Sequence, residues 1–427
     1  MAEVMSQVLD YSKMKRQASE SESTRQIISS SNGSTFTCGQ VAEIQIAGNQ
    51  IGGTFMDWQS SYLKLTVTNN DGAAIKLADT GGAYNLISKI EVLSSGYTLS
   101  SIDNYNKLVC ILSEMQLSPD YRNETGDLLA GMGYDETAGA NIGGTSIAAG
   151  AKKTFALPLH ALPMTSSNRY WPLFARDNLR LRITFSSAAN ATIGAAEDSE
   201  VSMSPVELVS TNVRLNQQSF AALNQMVGGK YTLVCSDYRN STSSIAAAST
   251  TFVANTAFSH LSLDRVLFGF FGTENTALAD SNGNRDFRNL QEYSFVINGS
   301  HVPARKIKVS ATNGAEAFAE LANCSNALVD VHHIGSSNRN ANYLLEGGAG
   351  TQNDNTGHFL AGINCESVRE HGAADSVYSG ANTLGAVTQL EGTFSAAGDA
   401  CNLQAFSNFT VMYTLDTMGN NTWVPIS

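Results

Sequence analysis

The residues best suited to chemistry in this chain are its histidines, cysteines and scattered carboxylates, and their spacing decides what they can do. His160, His260, His301, His332, His333, His358 and His371 fall in no HExxH or other compact ligand pattern. A zinc site would have to be assembled by the fold from distant segments. The adjacent pair in "VDVHHIGSS", His332 and His333, is the best sequence candidate, yet neighbours on a strand point to opposite faces. Cys38, Cys110, Cys235, Cys324, Cys365 and Cys401 form no CxxC pair or close cluster, which reads as reduced, mostly buried thiols.

No GxSxG surrounds a serine, no GxxxxGK[ST] is present, and no GxGxxG lies between a strand and a helix. Gly-rich pieces such as "GGAG" and "AGANIGG" lack the lysine or helix that a phosphate cradle needs and read as loop glycines. Asp264, Asp286 and Glu292 would have to be paired by the fold to do glycosidase work. Trp58, Tyr170, Trp171 and Phe174 are the aromatic set that could stack on a sugar or a base; the plainer reading is an apolar plug or a contact with a neighbouring subunit. No catalytic, cofactor-binding or metal-ligating residue is assigned, and no cofactor is expected.

Composition narrows the class further. Only 15% of the 427 residues are charged and 42% are apolar, so much of the polar surface is built from Asn, Ser, Thr and Gly. Such groups can be buried against a partner for the cost of a hydrogen bond, whereas a charge needs a counter-charge. The formal charge of -12 and a sequence pI of about 5.0 argue against specific nucleic-acid binding. The one basic cluster, Lys13, Lys15 and Arg16, is diluted by Glu20 and Glu22. The N-terminus has no signal-peptide pattern and no apolar run of about eighteen residues occurs, so neither secretion nor a membrane span is expected. The sequons at Asn298 and Asn408 therefore carry little weight.

The elements that must hold these residues are mostly strands. Residues 1 to 35 read as an arm: a short amphipathic helix with Met5, Val8, Leu9 and, less regularly, Met14, then a polar stretch. "SYLKLTVTN", "LISKIEVLSSGYTLSSI" and "LRLRITF" alternate apolar and polar residues, giving half-exposed sheets of the antiparallel kind. "DNYNKLVCILSEMQ" has helical spacing, and "EAFAELANCSNAL" holds the corresponding place in the second half. Asn298-Gly299 marks a tight hairpin turn. In "FALPLHALPMTSSNRYWPLFARDNLRLRITF", Pro158, Pro163 and Pro172 end or bend strands. Two β-rich halves with long loops predict two barrels or sandwiches side by side.

Several of these segments resemble the major capsid proteins of the double jelly-roll lineage of icosahedral DNA viruses. They are "LISKIEVLSSGYTLSSIDNYNKL", "FALPLHALPM" leading into "RYWPLFARDNLRLRITF", "LQEYSFVINGSHVP" and "FTVMYTLDTMGNNTWV". Polinton-like viruses and virophages are nearest in look. The resemblance implies an all-β chain of two consecutive eight-stranded jelly rolls, with an arm at 1 to 35, a first barrel at 36 to 205 and a second at 206 to 427. It implies a non-enzymatic shell subunit in the virion, assembled inside the host cell, three copies forming a pseudo-hexameric capsomer. Partners would be further copies, penton and minor capsid proteins and an inner membrane. Excursions at 118 to 152 and 336 to 358 would be tower or inter-subunit loops. Two alternatives stay open: a single jelly-roll capsid or penton protein with an extra domain, and a carbohydrate-binding or hydrolysing β-sandwich.

Overall fold

The computed structural model describes residues 21–48, 52–77, 80–94, 96–118, 121–133, 145–175, 178–194, 197–272, 285–324, 343–344, 358–366, 379–398 and 400–416. Among the described residues, sixteen strands of four or more residues form two barrels. The first holds β1 (Ser21–Ser29), β2 (Val41–Ile46), β3 (Thr54–Asn69), β4 (Ile87–Ser94), β5 (Tyr97–Asp103), β6 (Lys152–Pro158), β7 (Leu179–Phe185) and β8 (Val201–Leu215). The second holds β9 (Lys230–Ile245), β10 (Thr251–Asn255), β11 (Leu263–Gly272), β12 (Leu290–Ile297), β13 (Ser300–Lys308), β14 (Ala361–Asn364), β15 (Thr388–Phe394) and β16 (Cys401–Asp416).

All pairings between these strands are antiparallel. One sheet of the first barrel runs β1-β8-β3-β6 and the other β2-β7-β4-β5. The second barrel runs β9-β16-β11-β14 and β10-β15-β12-β13. Counting strands from the start of each barrel, both have first-eighth-third-sixth facing second-seventh-fourth-fifth, which is jelly-roll wiring. Two complete barrels exclude the single-barrel alternative.

Alternation explains why the sheets face as they do. In β7, Leu179, Leu181, Ile183 and Phe185 are buried while Arg180, Arg182 and Thr184 face outward. Across neighbouring strands Arg180 and Arg182 meet Glu43, and Arg182 also meets Glu91, at 3.3 to 3.7 Å. Exposed pairs of this kind fix register more than they add stability. Asn298 (φ 48) and Gly299 (φ 81) both take left-handed backbone, as a two-residue hairpin requires.

Strand pairing ties the expected arm to the first barrel, and one strand crosses the expected division at 205. β1 lies inside the segment expected as an arm and pairs with β8 residue by residue, from Ser21 opposite Leu215 to Ser29 opposite Glu207. β8 itself continues ten residues past the expected division at 205. The reason is that β1 is held by main-chain pairing: its side chains are almost all exposed, so no apolar face announces it. On these pairings we place the first barrel at 21–215 and the second at 230–416. Between them lies the helix Gln217–Val227. Residues 1–20, with the expected amphipathic helix, lie outside the described residues.

Candidate functional site

The chemistry-bearing residues that the fold brings together lie on the seam between the barrels. Helix α1 (Tyr105–Gln116) follows β5 and has every residue from Tyr105 to Met115 buried. Such a helix must find partners for its two charged side chains. Lys107 reaches the second barrel, its Nζ 5.2 Å from the centre of the Phe271 ring. Glu114 takes an ion pair from the Arg285 guanidinium and a hydrogen bond from His358 Nδ1 at 2.9 Å. Arg285 is fully buried and also donates through Nε to the carbonyl of Phe359 at 3.0 Å. Burial by itself would push the Glu114 carboxyl up, but Arg285, His358 and Arg122 outweigh it and hold the pKa at about 2. As an ionised carboxylate only accepts, His358 Nδ1 must be the donor. Gly269 in β11 makes room, because a Cβ there would come within 2.8 Å of Arg285 Cδ.

A second polar group on the seam joins β5 to β9 and β16. Ser100 donates to Asp237 Oδ1 at 2.9 Å, and Tyr413 donates to the carbonyl of Leu99 at 2.9 Å. Asn104 donates to Asn240 and Gln404 at 3.0 and 3.3 Å. Asp237 is buried without a cation at hydrogen-bond distance among its described contacts. Burial raises its pKa to about 7, only partly offset by the hydrogen bonds from Tyr238 N–H and Ser100 and by the charge of Arg239.

The aromatic loop completes the seam from the other side. β6 ends at Pro158, Pro163 opens the helical turn Pro163–Ser166, and Trp171 and Pro172 pair with Met56 and Phe55 of β3. From this loop Ser166 accepts from Ser236 N–H at 2.7 Å and Arg169 donates to the carbonyl of Thr232 at 3.0 Å. Trp171 is buried edge-on against Tyr413 at 5.9 Å, and the half-buried Phe174 meets Tyr231 edge-on at 5.2 Å. The plug reading of Trp171 is the one the structure bears out; a contact between Trp171 and a neighbouring subunit is not, because the residue is spent inside the chain. Trp58 is buried too, leaving Tyr170 as the one exposed member of the aromatic set, so the four make no sugar platform.

The other candidates are separated. His260 is stacked on Phe409 at 3.8 Å and burial pushes its pKa down to about 4. His301 sits near Glu391 on the outer face of the second barrel, and His160 beside Tyr84. His332, His333 and His371 lie outside the described residues. Among the described residues no three His, Cys, Asp or Glu side chains are grouped to hold a metal. Asp264 accepts from Ser262 and Thr410, Asp286 from Arg288 N–H, and Glu292 meets Lys306. All six cysteines are buried and none is in a disulfide; burial pushes Cys38 and Cys235 up to about 12, which disfavours the reactive thiolate. No helix among the described residues is long and apolar enough to cross a membrane. Sequence reasoning missed the group of Glu114, Arg285 and His358, and separately Asp237. The available signal was a helix with the apolar run Leu108–Leu112 flanked by one lysine and one glutamate.

Two outcomes test the seam. Glu114→Gln leaves the Arg285 charge buried with a weakened partner and should cost about 3–5 kcal/mol in denaturant unfolding, whereas Glu114→Leu combined with Arg285→Met should cost less than Glu114→Gln alone. A larger loss in the double variant would contradict the pairing. For Asp237 the folded pKa lies above the unfolded value of 3.8, so the folded state binds more protons between about 4 and 7 and loses stability as pH rises through that window. Asp237→Asn should therefore be more stable than wild type, with an advantage that grows by on the order of 2 kcal/mol from pH 5 to pH 8. An advantage that is flat with pH would show that the carboxyl is not held neutral.

No family model and no curated protein matches the chain. Solved structures do. VP54 of the virus PBCV-1, in a crystal structure fitted into a reconstruction of the virophage Sputnik, matches with a TM-score of 0.59 and 13% identity over 94% of this chain and 96% of that one. The Faustovirus major capsid protein matches with a TM-score of 0.59 and 9% identity over 95% and 92%. The mavirus major capsid protein matches with a TM-score of 0.51 and 10% identity over 94% and 90%. At such identities the likeness is one of fold, and the fold of this chain is the double jelly roll.

Proposed function

We propose that this chain is a major capsid protein, a non-enzymatic subunit of an icosahedral virion shell. One observation carries the reading: two jelly rolls of identical wiring are locked side by side as a single block by a buried seam. Its span also supports it, since the fold likeness to VP54 and to the Faustovirus and mavirus capsid proteins covers nearly the whole of each chain. Three such blocks around a threefold axis present six barrels, which is how a trimer fills a hexagonal place in a lattice. A surface poor in charge suits contacts that stay buried. Further copies, penton and minor capsid proteins and an underlying membrane are the partners this role implies.

Light scattering on the purified full-length protein should give a stable trimer of three 45.4 kDa chains, with a pseudo-hexagonal outline in negative stain. A compact monomer at high concentration would count against the trimer and move the reading away from a self-assembling shell subunit.

A further inference from the structure

Of the groups that tie the two barrels together, one is a carboxyl with no counter-charge at hydrogen-bond distance. Asp237 lies on β9 with 5% of its surface exposed. Its Oδ1 accepts from Ser100 on β5 of the first barrel at 2.9 Å and from the Tyr238 N–H at 2.8 Å, and neither donor is charged. Glu114 on the same seam has the Arg285 guanidinium against it and stays ionised. Without such a partner, burial favours the neutral form of Asp237. The contact between β5 and β9 is thus built around a carboxyl that can change its charge.

The groups around Asp237 leave it to titrate alone. On β9 itself the neighbours are Cys235, whose thiol burial pushes up to about 12, and the exposed guanidinium of Arg239. The Tyr238 ring points to the other face, where it meets Arg265. β16 contributes Tyr413, which burial holds well above the usual phenol range, and the neutral Asn408, which donates to the Asp237 carbonyl at 3.1 Å. β5 turns Ser100 and the Leu99 carbonyl to this point, while its own titratable residues, Tyr97 and Asp103, are exposed. From the aromatic loop Trp171 packs on Tyr413, and Arg169 is exposed and bound to the Thr232 carbonyl. His260, linked through Ser407 to the Arg239 carbonyl, is held down at about 4 by burial. Between about pH 5 and pH 8, Asp237 is the group of this set that changes charge.

We propose that the seam is a proton-controlled joint: Asp237 holds β5 on β9 and β16 while its carboxyl is neutral, and lets that contact open when it is ionised. The closed joint keeps the proton up to about pH 7, against 3.8 for the ordinary carboxyl. The closed form therefore binds more protons than the open one, and opening becomes easier as pH rises from about 4 to 7. The charge cluster on α1 and the aromatic loop still join the barrels, so the block hinges and does not part. The inference concerns the block alone and does not rest on the capsid reading.

Cys235 reports on the joint without an added label. It is buried two residues from Asp237 and takes a hydrogen bond from Ser167 of the aromatic loop, so opening exposes it. Full-length protein is treated with dithiodipyridine, and the rate at Cys235, read by peptide mass, is divided by that of a free thiol at the same pH. From pH 5 to pH 8 this ratio should rise on the order of a hundredfold and then level off. Cys38 and Cys365, buried in the first and second barrels, should react more slowly at pH 8. Urea at about 1 M should speed those two and leave Cys235 unchanged, because a local opening exposes little surface. The rise should persist in Asp264→Asn, whose carboxyl is held by Ser262 and Thr410 within the second barrel, and vanish in Asp237→Asn. A rise that persists in Asp237→Asn, or a Cys235 that matches Cys38 and Cys365 in rate and urea response, would overturn the proposal. Should Asp237→Asn fold poorly, Ser100→Ala takes its place. Loss of the donor that favours the ionised form should move the levelling pH upward, and an unmoved curve would contradict the joint.

Discussion

A guanidinium sealed from water has to be answered by a carboxylate, and the rest of this structure is arranged around that requirement. Arg285 belongs to the second barrel and Glu114 to the first; each is buried, so neither barrel can hold its own charge in the dry seam without the other. The pair fixes the face α1 turns to its neighbour. It also explains why a glycine stands at 269, beneath the arginine, and why His358 presents Nδ1 to the second carboxylate oxygen. A buried ion pair contributes little net stability compared with apolar packing, but it tolerates few alternative geometries. Its value here is that the two barrels meet in one arrangement.

That rigidity connects the seam to the proposed role. A shell lattice repeats one block many times, so a hinge between barrels would spread into misaligned contacts. The seam resists hinging at three separated points: the charge cluster on α1, the hydrogen bonds of β5 with β9 and β16, and the aromatic loop that sets Trp171 on Tyr413 and Phe174 on Tyr231. The long "PMTSSNRYWPLF" connection is thus not an idle one. It is the clasp of one barrel on the other, shaped by Pro163 and Pro172.

How much of this was legible in the sequence follows from the range of the forces involved. Strands such as β7 and the Asn298-Gly299 hairpin announce themselves because alternation and turn chemistry are local. Helix α1 was legible from its apolar spacing. β1 was not, since "SESTRQIIS" is held by backbone pairing to a strand nearly two hundred residues away and has no apolar face. The charge cluster was illegible for the same reason in stronger form: Glu114 finds Arg285 and His358 across sequence separations of 171 and 244 residues. The sequence showed only that Glu114 on a buried helix needed a partner. Trp171 was half legible, as an aromatic between prolines that had to be buried somewhere; which surface buried it took the second barrel to decide.

The central claim is that the seam makes one cooperative body of two barrels, and calorimetry tests it most directly. Wild-type protein at fixed concentration and neutral pH should unfold in a single transition, whereas Trp171→Ala, which removes the indole from Tyr413, should broaden or split it. Two well-separated transitions in the wild-type protein would contradict the account, because the barrels would then be neighbours that fold and melt independently.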